Sequence, residues 1–298
     1  MNINFKVIYL LKNEGHGNAR RKSLENCTNE LVALMDADDI SYYNRFEKQL
    51  DVFINNPDVD IVGGQITEFI DIPENIIGKR EVPEKDNDIK DYMKKRCPMN
   101  QMTVMFKNSF YKSSGGYIDW YCNEDYYLWI RMAEMNGIFE NLPDNLVNAR
   151  IGDAMSSRRG GVKYFLSEEK IQRYMLKRKI ISIPRYIFNV LIRFCGEVII
   201  SNKMRTFLFK KLRKSVNVET INNSKLINSD NHVNAKLPMF SVAMCVYAGD
   251  NAKWFDEALQ SIINQTVCPN EIVLVVDGPI PKEIEEIIVK YKNMCIYN

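Results

Sequence analysis

Four consecutive residues, Asp36-Ala37-Asp38-Asp39, bring three carboxylates together directly after an apolar run. The run, residues 31–35, has no polar interruption and therefore predicts a strand buried on both faces, as in a parallel sheet covered by helices. Open α/β sheets bind ligands at the carboxyl ends of their strands, and hard divalent cations prefer carboxylate oxygens. The pattern predicts a metal-assisted phosphate site. The alternative is that Asp38, Asp39 or Ser41 caps the helix that follows.

The overall composition is that of a folded cytoplasmic protein. Apolar residues make up 46% and charged residues 26% of the 298, and the formal net charge is only +2. These values exclude a disordered or collagen-like chain, and the length allows one large domain or two smaller ones. The seven cysteines show no C-x-x-C or other paired spacing, which predicts reduced thiols. The amino terminus lacks the layout of a signal peptide.

The charge is distributed unevenly along the chain. Residues 163–214 contain fourteen Lys and Arg against three Glu, so the remainder is net acidic. Within this segment the apolar window 180–200 is interrupted by Pro184, Arg185 and other polar residues, which argues against a transmembrane helix. Aromatic and aliphatic residues interleaved with cations favour a helix lying on an anionic membrane surface. The alternative is a basic helical face packed on the rest of the protein; no nucleic-acid recognition module is apparent.

Alternating elements predict an α/β fold. Strands are expected at residues 5–10, 30–35, 60–64 and 101–106, and helices at 16–27, 44–54 and from 123 to a stop at Gly137. Residues 74–96 are charged and mixed, which predicts a loop with one short helix. A linker rich in Asn, Ser and Lys is expected at residues 215–236. The chain then begins again as a nucleotide-binding domain would, with strands at 240–247 and 271–276 and helices at 254–264 and 281–292.

These segments resemble family 2 glycosyltransferases of the GT-A fold, in particular those that build bacterial capsular and exopolysaccharide chains. The motifs that carry the resemblance are residues 15–20, 36–39, 123–131, 241–247, 265–266 and 271–277. Any one of them alone would be weak. The resemblance implies a Rossmann-like, mixed and mostly parallel sheet flanked by helices, with a basic helical appendage.

The family's first strands come last in this chain. The resemblance divides it into a metal-binding and acceptor part at 1–158, a basic membrane-associating appendage at 159–214, a linker at 215–237 and the nucleotide-binding first half at 238–298. This order suggests either a circular permutant or the junction of two incomplete tandem enzymes. Because strand 271–276 is apolar on both faces, it is expected to join the sheet of strand 31–35. A domain-swapped homodimer would satisfy the same strands.

The resemblance also implies roles for individual residues in binding a nucleotide-diphosphate sugar, most often a UDP-sugar. Asp277 is expected to contact the nucleoside, and Tyr247 is placed with it in the donor site. Arg20 would contact the base or the diphosphate. Asp36 would bind the ribose or the metal, and Asp38 would bind the Mg²⁺ or Mn²⁺ that bridges the diphosphate oxygens.

The catalytic base that the resemblance implies is Asp125. Its carboxylate would accept the proton of the acceptor hydroxyl during a single in-line displacement, which inverts the anomeric configuration. The alternative for Glu124 and Asp125 is compensation of a helix dipole, worth about 0.3–1 kcal/mol. Trp129 and Arg131 are expected to pack beneath the site.

The implied function is that of an inverting, metal-dependent hexosyltransferase in cell-surface polysaccharide synthesis. Its acceptor would be a saccharide or a lipid-linked saccharide, and the protein would be cytoplasmic and peripheral on the inner face of the cell membrane. The competing interpretation is an inactive remnant with at most weak nucleotide binding. The order of the segments favours this remnant, whereas the intact carboxylates favour the enzyme.

Overall fold

The computed structural model describes residues 3–118, 120–152, 160–200 and 237–296. Its strands are, in chain order, β1 Asn4–Tyr9, β2 Leu31–Leu34, β3 Ile40–Ser41, β4 Ile61–Phe69, β5 Ile76–Arg80, β6 Met105–Lys107, β7 Phe139–Arg150, β8 Phe240–Val246 and β9 Glu271–Val276. Its α-helices are α1 His16–Glu25, α2 Arg45–Asn55, α3 Asp86–Met93, α4 Asn108–Ser113, α5 Glu124–Glu134, α6 Val162–Lys177, α7 Ile183–Phe194, α8 Ala252–Ile263 and α9 Lys282–Ile296. A short 3₁₀ helix covers Gln101–Thr103, and a π-helical turn covers Cys195–Ile199.

One mixed sheet contains these nine strands. Its order is β1-β9-β8-β2-β6-β4-β7-β3, and β5 pairs with β4 outside this path. The first four strands, β1, β9, β8 and β2, run parallel to one another. β6 is antiparallel to both of its neighbours, and β4 and β7 form a further parallel pair. The expected mixed, mostly parallel α/β sheet is therefore confirmed.

The strands near the end of the chain lie between strands near its beginning. β9 pairs with β1, aligning Phe5 with Ile272, and β8 pairs with β2, aligning Val32 with Ser241. Residues in both β8 and β9 are buried on the two faces of the sheet, so neither strand could remain folded in water alone. The prediction that residues 271–276 join the sheet of residues 31–35 is confirmed, and the pairing is made within one chain.

Some predicted elements need correction. Residues 74–96 contain a strand, β5, as well as helix α3, and strand 101–106 is replaced by a 3₁₀ turn followed by the shorter β6. The twelve-residue β7 was not expected. Pro143 and several Asn and Asp residues give this segment a sequence that does not predict a strand. The strand is also irregular, since its register against β4 shifts beside Gly64. A methyl group on Gly64 would lie 2.6 Å from Leu146 Cδ1, so a glycine is required at this bend.

Two hydrophobic layers cover the sheet. One layer is shared by the early and late segments and brings the ring centroid of Phe46 to 4.9 Å from that of Phe240. The other layer contains the fully buried Trp129 and reaches into the basic appendage through Ile171 and Met175 of α6. The late segment is thus part of the same core as the rest of the described chain.

Residues 160–200, which contain helices α6 and α7, are the described part of the basic appendage. Residues 159 and 201–214 of that predicted segment, and nearly all of the linker predicted at 215–237, lie outside the described residues. No helix in the described ranges is both long and apolar enough to cross a membrane.

Candidate active site

The carboxyl ends of β9, β8 and β2 lie side by side at one edge of the sheet and carry Asp277, Tyr247 and Asp36. Neighbouring strands in a sheet are about 4.8 Å apart, so the first and third of these residues lie roughly 10 Å apart along the edge. Tyr247 has an exposed side chain, and its amide donates to Asp250 Oδ2 at 3.0 Å. The edge therefore combines residues from the two ends of the chain.

Asp277 holds the loop that follows β1. Its Oδ1 accepts a hydrogen bond from the Glu14 amide at 2.7 Å, and its Oδ2 accepts one from the Gly15 amide at 3.1 Å. An ionised carboxylate can accept about four hydrogen bonds, so acceptor positions remain for a ligand. Gly278 permits the close approach: its φ is 89°, and an added methyl group would lie 2.6 Å from the Asn13 nitrogen.

Arg20 lies on α1 and reaches the end of β2. Its Nη2 donates to Asp36 Oδ1 at 2.6 Å, and only 5% of the residue is exposed. Burial opposes the charge, yet the Asp36 carboxylate keeps the pKa of the Arg20 guanidinium above its usual value. The second terminal nitrogen, Nη1, is buried and has no hydrogen-bond partner. Since an unpaired buried donor is unfavourable, Nη1 is suited to binding an anionic oxygen of a ligand.

Asp38 and Asp39 are held in place by Arg150, which sequence reasoning missed. Asp39 Oδ1 accepts from the Arg150 amide at 2.8 Å, and the carbonyl of Asp38 accepts from Arg150 Nε at 3.1 Å. The guanidinium also donates to Glu257 Oε2 at 2.7 Å and lies 4.5 Å from the ring centroid of Trp254. Arg150 thus connects the carboxylate cluster to α8. No local motif marks this residue, because its contacts come from distant parts of the chain.

Asp39 does not cap the helix that follows it. The N-cap position of α2 is Asn44, which makes no side-chain capping hydrogen bond, and Asp39 binds Arg150 instead. Burial, followed by repulsion from Asp38 and Asp36, raises the pKa of Asp39 well above its ordinary value. Arg45 lies behind the cluster and donates to the Leu34 carbonyl at 2.8 Å; its burial lowers its pKa to about 9.

The sequence predicts a divalent cation bound by the carboxylates after β2. Among the described residues, no group of three or more His, Cys, Asp or Glu side chains is arranged to hold a metal. Mg²⁺ commonly binds through one or two protein carboxylates, with substrate phosphates and waters supplying the remaining ligands. Asp36 and Asp38 are the residues predicted to bind a cation in this way. They would hold a cation together with a diphosphate, rather than in a complete protein cage.

Glu124 and Asp125 begin α5, and Glu124 lies close enough to Arg20 and Asp36 for their charges to influence its pKa. Asp125 Oδ1 accepts from the Tyr126 amide at 2.7 Å, and its Oδ2 lies 3.8 Å from Cys97 Sγ, which can donate to it. Glu124 lies against α1, where a methyl group on Gly17 would be 3.9 Å from its Cγ. Burial, with a further contribution from Asp125, raises the pKa of Glu124 to about 7. In the sequence Glu124 is recognisable only as a helix-end residue, and no local pattern marks this buried environment.

Trp129 and Arg131 of α5 are both buried. Trp129 is completely buried in the core. Arg131 Nη1 donates to the carbonyl of Ser114 at 2.6 Å, and its Nη2 donates to the carbonyl of Gly116. Gly116 has a φ of 62°, in the left-handed region. Arg131 therefore fixes the loop that leads into α5.

Comparison with known proteins decides the family. The profile of Glycosyl transferase family 2 matches residues 1–113. An uncharacterized glycosyltransferase of Haemophilus influenzae is 36% identical over 209 residues, which cover 70% of this chain and 78% of that protein. This chain belongs to glycosyl transferase family 2. The GT-A-like sheet and its edge of carboxylates are consistent with that assignment.

Two further relatives connect this family 2 glycosyltransferase to polysaccharide biosynthesis. The amylovoran biosynthesis glycosyltransferase AmsE of Erwinia amylovora is 34% identical over 208 residues, or 70% of this chain and 77% of AmsE. A UDP-Gal:alpha-D-GlcNAc-diphosphoundecaprenol beta-1,3-galactosyltransferase of Escherichia coli is 34% identical over 210 residues, or 70% of this chain and 76% of that enzyme. The chain is accordingly a glycosyltransferase of the type used in polysaccharide biosynthesis.

Proposed function

We propose that the protein transfers a hexose from a UDP-sugar to a lipid-linked saccharide, with inversion at the anomeric carbon. The observation that carries this proposal is the meeting of Asp277, Arg20 and Asp36 at one sheet edge, beside the α5 carboxylates. The similarity to an enzyme whose name specifies UDP-Gal and a GlcNAc-diphosphoundecaprenol acceptor supports both substrate classes.

In this proposal the donor lies along the strand ends. Asp277 binds the nucleoside with the acceptor positions that the Glu14 and Gly15 amides leave open. The unpaired Nη1 of Arg20 binds an oxygen of the base or of the diphosphate. Asp36, already oriented by Arg20, binds the ribose or shares a cation with Asp38. A bound Mg²⁺ or Mn²⁺ would neutralise the charge that develops on the departing diphosphate.

The acceptor hydroxyl is activated by Asp125. As the hydroxyl oxygen forms its bond to the anomeric carbon, the bond from that carbon to the diphosphate oxygen breaks, and the hydroxyl proton passes to the Asp125 carboxylate. The Tyr126 amide and Cys97 thiol, which contact the two oxygens of Asp125, hold the carboxylate in position. Attack from the side opposite the leaving group gives inversion.

We also propose that the family's nucleotide-binding first half stands at residues 238–298. The family profile matches residues 1–113, while β8 and β9, from the other end of the chain, lie between β1 and β2. Either a circular permutation or the junction of two tandem enzymes would account for both observations. A swapped homodimer built from the same strands is the nearest alternative. The proposed place of action is the cytoplasmic face of the cell membrane, where lipid-linked saccharides are accessible.

Sugar transfer to a synthetic acceptor tests this function. The purified protein is incubated with UDP-Gal or UDP-Glc, Mn²⁺ and a short-chain GlcNAc-diphospho-lipid, and the product is analysed by mass spectrometry and NMR. We expect addition of one hexose in β linkage from at least one donor. Asp125→Asn should reduce kcat by about 10² or more with little change in donor KM, since the base is needed mainly in the transition state.

The matched control is Asp144→Asn, which changes a surface carboxylate bound to Lys48. It should leave turnover unchanged. Absence of transfer from a panel of nucleotide sugars by a correctly folded chain would support the inactive-remnant interpretation instead. If Asp125→Asn turns over at the wild-type rate, Asp125 is not the catalytic base and only compensates the dipole of α5.

A further inference from the structure

Helix α7 turns its polar residues toward the protein. Asn189 is 4% exposed and donates from Nδ2 to the Lys94 carbonyl and to Gln172 Oε1, both at 2.8 Å. Arg193 is also buried; it pairs with Glu168 and donates to the Lys95 carbonyl. These contacts fix the rotation of α7 about its own axis, with its hydrogen-bonding side chains directed inward.

The opposite half of α7 is apolar and faces outward. At 3.6 residues per turn its apolar side chains occupy about half of the helix circumference. Each of them is between 41% and 64% exposed. We call this set the α7 apolar face: Ile183, Ile187, Phe188, Leu191, Ile192 and Phe194. An ordinary surface helix has the reverse arrangement, and a contiguous exposed apolar face of this kind indicates a binding surface.

The surroundings of the α7 apolar face are cationic. Residues 160–200 contain eight Lys and Arg against three Glu. Two of those acids are already bound, Glu168 to Arg193 and Glu169 to Arg173. Lys177 and Lys179 are exposed just before α7 begins. An apolar face with cations beside it complements the acyl boundary and the anionic head groups of a lipid bilayer.

The same helix is joined to the candidate catalytic base through a short series of contacts. Its Asn189 and Arg193 bind the carbonyls of Lys94 and Lys95. Two residues further along the chain, the Cys97 thiol contacts Asp125. The α7 apolar face is therefore anchored near Asp125 at the start of α5 rather than to the strand ends that would bind the nucleotide.

We propose that the α7 apolar face docks on an anionic lipid bilayer, with the helix lying in the plane of the membrane surface. The apolar side chains enter the acyl boundary, and Lys177 and Lys179 contact lipid phosphates. This proposal rests on the proposed function in one respect, that the acceptor is lipid-linked. Docking would then hold the start of α5, with Asp125, near the membrane surface on which the acceptor's lipid is anchored.

Vesicle flotation tests the docking. The protein is mixed with phosphatidylglycerol/phosphatidylcholine vesicles, and Ile187→Asn/Leu191→Asn is compared with a control, Met239→Asn/Val289→Asn, that removes exposed apolar residues elsewhere. We expect the wild type and the control to float, and the α7 variant to lose at least about tenfold in partitioning. High salt should weaken the wild type only partly, since it screens the lysines but not the apolar contact.

A second readout places the helix in the membrane. Phe188→Trp should become quenched when brominated acyl chains are present in the vesicles, whereas Val289→Trp should not. Equal flotation of wild type and the α7 variant, or absence of quenching at position 188, would overturn the proposal. A wild type that does not float but is dimeric, with an α7 variant that is monomeric, would assign the face to a second copy instead.

Turnover measured on two forms of the acceptor distinguishes a failure of membrane docking from a failure of the proposed transferase function. With a water-soluble GlcNAc-diphosphate acceptor, the α7 variant should keep wild-type turnover, and with the acceptor embedded in vesicles it should lose turnover in parallel with flotation. Turnover on the soluble acceptor without any vesicle binding would refute docking and leave the transferase function intact. Vesicle binding that depends on α7, in a protein with no turnover on either acceptor, would refute the function and leave the docking.

Discussion

At the scale of single residues, the site is built from buried charges that hold one another in place. Arg20 orients Asp36, and Arg150 holds both Asp38 and Asp39 through backbone and side-chain contacts. Buried ion pairs add little to stability by themselves, but removal of one partner leaves an uncompensated charge. The carboxylates are consequently held in a fixed arrangement. A bound divalent cation would be needed between them and an anionic diphosphate, because like charges repel.

Replacement of Arg150 should damage both stability and donor binding. Arg150→Met removes the partner of Glu257 and frees the Asp38 carbonyl. We expect the free energy of unfolding to fall by about 2–4 kcal/mol, less than for a fully buried pair because Glu257 is partly exposed. Urea denaturation measures this, and the donor KM should rise more than kcat falls. Arg173→Met, which breaks an exposed pair with Glu169, is the control; an equally small effect at both positions would contradict the positioning role.

Glu124 should make stability depend on pH. Its pKa is raised from 4.5 to about 7 by burial and by the neighbouring Asp125, while Arg20 partly opposes the shift and Asp36 adds to it. Because the pKa is higher in the folded state, protonated Glu124 stabilises the folded protein. This stabilisation is fully present below about pH 4.5 and is lost as the pH rises through about 7. Relative to wild type, Glu124→Gln should therefore gain on the order of 1–3 kcal/mol in unfolding free energy between pH 5 and pH 8.

The measurement is urea denaturation of both proteins at several pH values. Glu286→Gln changes a carboxylate whose side chain is 65% exposed and serves as the control. If the difference between Glu124→Gln and wild type is the same at pH 5 and pH 8, Glu124 is ionised over the whole range and the assignment of its environment is wrong.

The candidate carboxylates are easier to predict from the sequence than the residues that surround them and hold them in place. Asp36, Asp38 and Asp277 follow apolar runs, and such strand ends are recognisable without a structure. Arg150 and Glu124 are not recognisable in this way. The contacts of Arg150, which ends β7, come from the segment after β2, from the end of β4 and from α8. The environment of Glu124 depends on how α1 packs against α5. Roles that arise only from tertiary contacts leave no local pattern to read.

At the scale of elements, regular strands were predictable and irregular ones were not. β2 and β9 are continuous apolar runs, and both are observed close to their predicted bounds. β7 contains Pro143 and shifts its register against β4, and β5 is only half-buried at the side of the sheet. Neither strand has the apolar run or the alternation that identifies a strand in a sequence.

The turn after β9 should be intolerant of a side chain. Gly278 has a φ of 89°, and an added methyl group would lie 2.6 Å from the backbone nitrogen of Asn13. Gly278→Ala should lower the free energy of unfolding by about 1–3 kcal/mol, because both the dihedral angle and the contact are unfavourable. It should also weaken UDP binding, since the loop bound to Asp277 must move. Gly152→Ala is the matched control, because an added methyl group there meets no atom within 4 Å; equal stability of the two variants would contradict the expected strain.

At the scale of the whole molecule, the two ends of the chain form one sheet and one core. β9 lies between β1 and β8, and the candidate site needs Asp277 from one segment and Asp36 from the other. The apolar character of the strands predicted this joining, because each segment alone would expose strands that are buried on both faces. Sequence alone could not decide whether the strands close within one chain or between two, since both arrangements make the same pairs.

The central claim is that a single chain forms one nucleotide site from both of its ends. Calorimetric titration of UDP into the monomeric fraction, isolated with light scattering, tests it most directly. With Mn²⁺ we expect one UDP per chain, with affinity about tenfold or more weaker in EDTA, in Asp38→Ala and in Asp277→Asn. Binding confined to a dimeric fraction would instead indicate strand exchange between chains. A folded monomer that binds no UDP, or binds it equally well in EDTA and in both variants, would contradict the claim.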